Sequence, residues 1–141
     1  MKISGYALLA AALLATPFAV LRPAEAEAPP TTHEVKMHME GTTARFEPAN
    51  LTIKRGDRVR FVTVTGGPHN VAFEADKVPD AAEAALTAGM PNQIAPLAGP
   101  LVMSAGDSYT VSFAGVPAGS YEYICMPHVA MGMKGKITVQ P

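Results

Sequence analysis

The run Ser108-Tyr109-Thr110-Val111-Ser112-Phe113-Ala114-Gly115-Val116-Pro117-Ala118-Gly119-Ser120-Tyr121-Glu122-Tyr123-Ile124-Cys125 decides the fold class. Tyr109, Val111 and Phe113 alternate with Ser108, Thr110 and Ser112, the period of two of a half-buried strand. Val116-Pro117-Ala118-Gly119 carries the chemistry of a hairpin turn, and beyond it Tyr121, Tyr123 and Cys125 share one face of a second strand.

The same pattern recurs in short pieces on either side. Residues 34–40 set Val35, Met37 and Met39 against Glu34, Lys36, His38 and Glu40. Residues 46–53 are broken by Pro48 and Asn50, and the turn Lys54-Arg55-Gly56-Asp57 leads into a strand over 58–65. There Val59 and Phe61 oppose Arg58 and Arg60, but Val62 and Val64 blur the alternation, which fits burial on both faces or a bulge. Gly66-Gly67-Pro68 forces a sharp turn before a short strand that His69 opens and Phe73 ends. Residues 135–140 close the chain with Ile137 and Val139 on one side. About seven or eight short strands with Gly, Pro and Asn punctuation predict an all-β sandwich or barrel. Residues 74–106 break the pattern: 80–88 is Ala-rich enough for one or two helical turns, and Gly89, Pro91, Pro96, Gly99 and Pro100 interrupt the remainder of the stretch. This stretch is expected to be an excursion outside the sheets.

The N-terminus has a different character. Lys2 precedes an apolar run over 6–21, followed by Arg22, Pro23 and two A-x-A patterns, Ala24-Glu25-Ala26 and Ala26-Glu27-Ala28. Residues 1–28 therefore read as a secretory signal cleaved after Ala26 or Ala28, 29–33 as a linker, and 34–141 as one domain exported to the periplasm. The run is short of the roughly 20 apolar residues that span a bilayer and contains Pro17, which argues against an uncleaved anchor. No cysteine near the cleavage site is available to carry a lipid. Of the 141 residues, 11 are Lys or Arg and 12 are Asp or Glu, a net charge of −1 that gives no global field for nucleic acid. The single cysteine excludes an intramolecular disulfide and any all-cysteine zinc or iron–sulfur site. In an oxidising compartment a free thiol is protected only by burial or by a metal.

The neighbours of Cys125 point to the metal. Cys125-Met126-Pro127-His128-Val129-Ala130-Met131-Gly132-Met133 puts a thiol, an imidazole and thioethers into one loop between strands. Soft sulfur with borderline nitrogen suits copper in both oxidation states far better than magnesium, calcium or manganese. His69, at the Gly-Gly-Pro turn, can supply a second nitrogen. Two His and one Cys with a weak axial Met make a blue-copper electron-transfer site.

Gly67-Pro68-His69-Asn70, then Cys125-x2-His128-x4-Met133, then Gly135-Lys136-Ile137-Thr138-Val139, resemble plastocyanin and its bacterial relatives such as pseudoazurin, the small cupredoxins, from about residue 34 to the C-terminus. The resemblance implies a cupredoxin-like Greek-key β-sandwich holding one type 1 copper ion. It makes His69, Cys125 and His128 the equatorial ligands and Met133 the axial one. Asn70 would tie the two ligand-bearing loops together, and Pro127, lacking an N–H, cannot donate to the sulfur. Met131 is the rival axial ligand, since a Cys-x2-His-x2-Met loop occurs in amicyanin. The Met-x-Gly-Lys lead-in Met133-Lys134-Gly135-Lys136 favours Met133.

Such a site has no vacant position for substrate, which implies an electron carrier and not an enzyme. The exported protein is expected to be soluble and monomeric. It would shuttle between redox proteins such as cytochromes or oxidoreductases. They would dock transiently at a patch around His128 formed by Met126, Pro127, Val129, Ala130 and the 66–68 turn. Glu74, Asp76, Asp80 and Glu83 are scattered, with Lys77 among them, so an acidic docking patch of the plant type is not expected. The alternatives are a periplasmic copper-storage or chaperone protein, suggested by eight Met and four His, a Cys125/His128 nucleophile enzyme, and a zinc site. His33 and His38, with Met37 and Met39, are expected to be ordinary flanking residues and not a second copper site.

Overall fold

The computed structural model describes residues 28–141, so the expected signal, on residues 1–27 almost entirely, lies outside the described residues. Eight strands form two four-stranded sheets. The first is ordered β2 (Thr43–Glu47), β1 (Thr32–Glu40), β4 (Arg58–Thr63), β6 (Ser108–Ser112). The second is ordered β3 (Asn50–Lys54), β8 (Lys134–Gln140), β7 (Gly119–Ile124), β5 (Ala72–Phe73). β1 runs parallel to β4 and β3 parallel to β8, while the other pairs are antiparallel. This is the β-sandwich that the alternation predicts.

Alternation also decides what fills the space between the sheets. Val35 and Met37 of β1, Val59 and Phe61 of β4, Tyr121 and Tyr123 of β7, and Ile137 and Val139 of β8 are buried in one core. Tyr123 is its hub, with edge-on contacts to Phe46 at 4.8 Å, Phe61 at 5.6 Å and Phe73 at 5.9 Å between ring centres. Each such pair adds about 1 kcal/mol beyond the area it buries. Tyr123 also lies over its cross-strand partner Gly135, where any side chain would strike the phenol ring. The turn at Val116–Gly119 is not the expected hairpin, because β6 pairs with β4 and β7 with β8 and β5, so it carries the chain from one sheet to the other. Tyr121 braces that connection by donating its hydroxyl to the Pro117 carbonyl at 2.8 Å.

The two alternatives left open for the fourth strand resolve differently. Its register against β1 and β6 is unbroken, so there is no bulge, and Val62 lies half-buried on the outer face beside Arg60. Val64 comes after the end of the strand and is also half-buried. The strand expected from His69 is shorter than the sequence suggests, because only Ala72 and Phe73 pair with β7. The helical turns form one helix, α1 (Asp80–Gly89), which buries Ala82 and Leu86.

Asp57 anchors the chain start to the β3–β4 turn. Its carboxylate accepts the Thr31 N–H at 2.8 Å, the Lys54 N–H at 3.0 Å and His33 Nε2–H at 2.8 Å. Burial alone would raise this carboxyl, but the bonds from His33, Thr31 and Lys54 outweigh it and hold the group below 3.8. A carboxyl whose folded pKa is depressed stabilises the fold above its unfolded value and ceases to do so as pH falls through the folded one. Asp57→Asn is expected to cost about 2 kcal/mol near neutral pH. Urea titrations of both proteins should show that difference shrinking as pH drops below 3.8.

Candidate metal centre

Three segments converge at one end of the sandwich. After β4 the chain turns through Gly66, whose φ is +61° and whose missing Cβ would stand 2.6 Å from that of Met39. A Cβ on Gly67 would collide with the Met103 carbonyl. The two glycines thus let the turn wedge between β1 and the excursion, which delivers His69 to the interior.

His69 is fully buried and oriented from both ends. Its backbone exchanges two hydrogen bonds with Val102, each 2.9 Å. Its Nε2 lies 2.8 Å from the Thr65 carbonyl, and since a carbonyl only accepts, Nε2 carries the proton and Nδ1 presents a lone pair. That Nδ1 is 3.8 Å from Cys125 Sγ. Cys125, at the end of β7, donates its N–H to the Met133 carbonyl at 3.0 Å and accepts the His128 N–H at 3.1 Å. The second bond starts the short 3₁₀ stretch Met126–Met131 and brings His128 Nδ1 to 3.5 Å from Sγ. One donor atom from each of His69, Cys125 and His128 lies within 4.8 Å of the others, and all three residues are buried.

Asn70 clasps the two loops. Its Oδ1 accepts the Met126 N–H at 2.9 Å, and its Nδ2 donates to the Gly99 carbonyl at 3.4 Å. Pro127 lies exposed at the start of the 3₁₀ stretch. The two methionines separate by burial: Met133 is 0% exposed and donates its N–H to the His128 carbonyl at 3.3 Å, whereas Met131 is 43% exposed. His33 and His38 take no part, His33 binding Asp57 and His38 lying 3.1 Å from the Glu47 carboxylate.

Burial favours the uncharged forms of Cys125 and His128. Burial raises the Cys125 thiol above 9.0, against the opposing pull of the Asn70 and His128 backbone N–H groups. Burial and the neighbouring His69 ring hold His128 below 6.5. A thiol and two imidazoles in apolar surroundings, with a lone pair already aimed inward, fit a soft or borderline cation that displaces the thiol proton. No carboxylate stands in the cluster, which removes the hard-donor set of calcium or magnesium. The residues present fit copper.

Sequence reasoning misses Thr65, Val102 and Tyr109. Thr65 and Val102 act through backbone groups, which leave no side-chain signature. Tyr109 reads as one more alternating residue of β6, although its hydroxyl reaches the Val71 N–H at 2.7 Å.

Comparison with known proteins agrees with this geometry. Residues 33–140 match the family described as copper binding proteins, plastocyanin/azurin family. Plastocyanin of Nostoc punctiforme is 40% identical over 136 residues, covering 95% of this chain and 90% of that protein. Plastocyanin of Scenedesmus fuscus is 40% identical over 106 residues, covering 75% and 97%. Among solved structures, oxidized plastocyanin from Dryopteris crassirhizoma superposes with a TM-score of 0.61 at 25% identity over 76% of this chain and 99% of that one. Pseudoazurin from Methylobacterium extorquens AM1 does so with a TM-score of 0.51 at 27% identity over 77% and 74%.

The fold and the donor cluster are those of a small cupredoxin, a copper-binding electron carrier and not an enzyme. The chain belongs to the plastocyanin/azurin family. Among the described residues no helix is long and apolar enough to cross a membrane.

A buried, protonated thiol reacts only when its surroundings open. Metal-free protein at neutral pH should label with an aromatic disulfide reagent about a hundredfold more slowly than the same protein in denaturant. Equal rates would show that the loop is open.

Proposed function

We propose that the chain is a periplasmic one-electron carrier in which His69, Cys125 and His128 hold one copper ion as a type 1 site, with Met133 as the weak axial ligand. Residues 1–28 would direct export and be removed after Ala26 or Ala28, 29–33 would serve as a linker, and 34–141 would be the working domain. The observation that carries the reading is the convergence of two buried imidazoles and the one thiol within 4.8 Å. Copper supplies the Cu(I)/Cu(II) couple.

The chain's own residues supply the rest. The Thr65 carbonyl, the Val102 backbone and Asn70 hold both ligand loops, so little needs to move when the charge at the site changes. Burial shields Cys125 from oxidants. Burial of Met133 at the end of the loop that carries Cys125 and His128 favours it as the axial ligand over Met131, which is exposed.

Partners would meet the protein around His128, which is 5% exposed amid exposed Met126, Pro127, Val129 and Ala130. Residues 61–73, 84–106 and 123–133 contain no Asp, Glu, Lys or Arg. Exposed Leu101 and Met103 of the excursion add to this uncharged end. Docking there of redox proteins such as cytochromes would rest on apolar contact and dissociate quickly.

Copper titration should saturate at one ion per chain with an intense visible band, and Cys125→Ser should abolish that band. Met131→Ala should leave the spectrum unchanged and Met133→Ala should alter it. Several ions per chain without a thiolate band would favour copper storage instead. Electron-transfer rates with a cytochrome should vary less than about threefold between low ionic strength and about 0.5 M salt, and a steep dependence would contradict apolar docking.

A further inference from the structure

The excursion is built onto the metal-bearing segment. Residues 97–102 run beside 69–73 as an added edge, joined by the two His69–Val102 bonds, by Gly99 N–H to the Val71 carbonyl at 2.9 Å and by Phe73 N–H to the Leu97 carbonyl at 3.0 Å. The buried Val71 N–H goes to no carbonyl of that edge. It donates instead to the phenol oxygen of Tyr109, 2.7 Å away, which reaches across from β6 in the other sheet. An unpaired N–H at that depth is costly, so the hydroxyl takes the place of a missing ladder partner.

Tyr109 can reach Val71 only because residue 99 has no side chain. A Cβ on Gly99 would stand 2.9 Å from the Tyr109 hydroxyl oxygen and 2.9 Å from the Met90 sulfur. The Gly99 carbonyl in turn receives Asn70 Nδ2, whose other end holds the Met126 N–H. Buried Leu97 keeps φ at +58°, a conformation that bulky residues avoid, with its N–H bonded to Gln93 Oε1 at 3.1 Å. Backbone held against its preference marks geometry that the surroundings impose.

We propose that Tyr109, acting through the space left by Gly99, is a positioning residue for the metal centre: its hydroxyl fixes Val71 and so sets where His69 and Asn70 stand. The proposal rests on the reading of His69 as a ligand.

Tyr109→Phe removes only the hydroxyl, and Gly99→Ala keeps the hydroxyl but displaces it, which provides a second variant should the first fold poorly. Tyr121→Phe is the control, because it deletes another tyrosine hydroxyl bond, at the Pro117 turn. Amide exchange by NMR on metal-free protein should be about tenfold faster at Val71 in both test variants and unchanged there in the control. After copper loading, the test variants should show a displaced thiolate band and reduction potential, whereas Tyr121→Phe should lower only the denaturation midpoint. Unaltered Val71 exchange, or a band and potential equal to those of the unsubstituted protein, would overturn the proposal. Absence of a thiolate band in the unsubstituted protein would contradict the ligand reading, and the metal-free exchange rates would then alone uphold or overturn the brace.

Discussion

A buried imidazole whose Nε2–H is committed to a backbone carbonyl can offer only its Nδ1 lone pair to the interior, and the arrangement of this protein depends on that commitment at His69. The Thr65 carbonyl that receives the proton also accepts the Met39 N–H, so the ring is referenced directly to β1. Val102 holds the backbone of the same residue. The position of this imidazole is thus set by its bonds to neighbouring segments and not by its own loop alone. Cys125 and His128 then need only the short turn of 125–133 to meet it, and the Cys125–Met133 and Cys125–His128 backbone bonds define that turn.

Electrostatics explains why the donors can sit so close in an apolar setting. Two imidazoles 4.9 Å apart between ring centres would repel if both were protonated, and burial already disfavours the charged form of His128. A bare thiolate would be equally costly, and burial keeps the Cys125 thiol protonated. Cys125 and His128 are therefore favoured as neutral donors, and a cation would compensate the thiolate that bound it. The same burial keeps the chain's one thiol from oxidants, so a single structural choice serves both protection and binding.

The sandwich was legible because alternation with period two directly reports which face is buried, as in Tyr109-Val111-Phe113 and Tyr121-Tyr123-Cys125. The donors were legible because their chemical types are rare and their order and spacing are specific. What stayed hidden depends on contacts between segments far apart in the chain. Residues 97–102 have no periodicity of their own, since they bond to 69–73 around Pro96 and Pro100. Tyr109 lies in a strand of ordinary pattern, and only the absence of a side chain at Gly99 reveals why its hydroxyl matters. Likewise His38, on the polar face of β1, is buried between Glu40 and Glu47, which alternation alone assigns to solvent.

The fold brings His69, Cys125 and His128 together without help from an ion. A crystal structure of the copper-loaded protein tests it most directly. It should show a single ion bonded to Nδ1 of His69, Nδ1 of His128 and Sγ of Cys125, with the Met133 sulfur as the weak fourth ligand and the backbone of 65–73 and 125–133 placed as in the metal-free fold. An ion held elsewhere, or ligand loops that must rearrange to reach it, would show that the fold does not prearrange these donors.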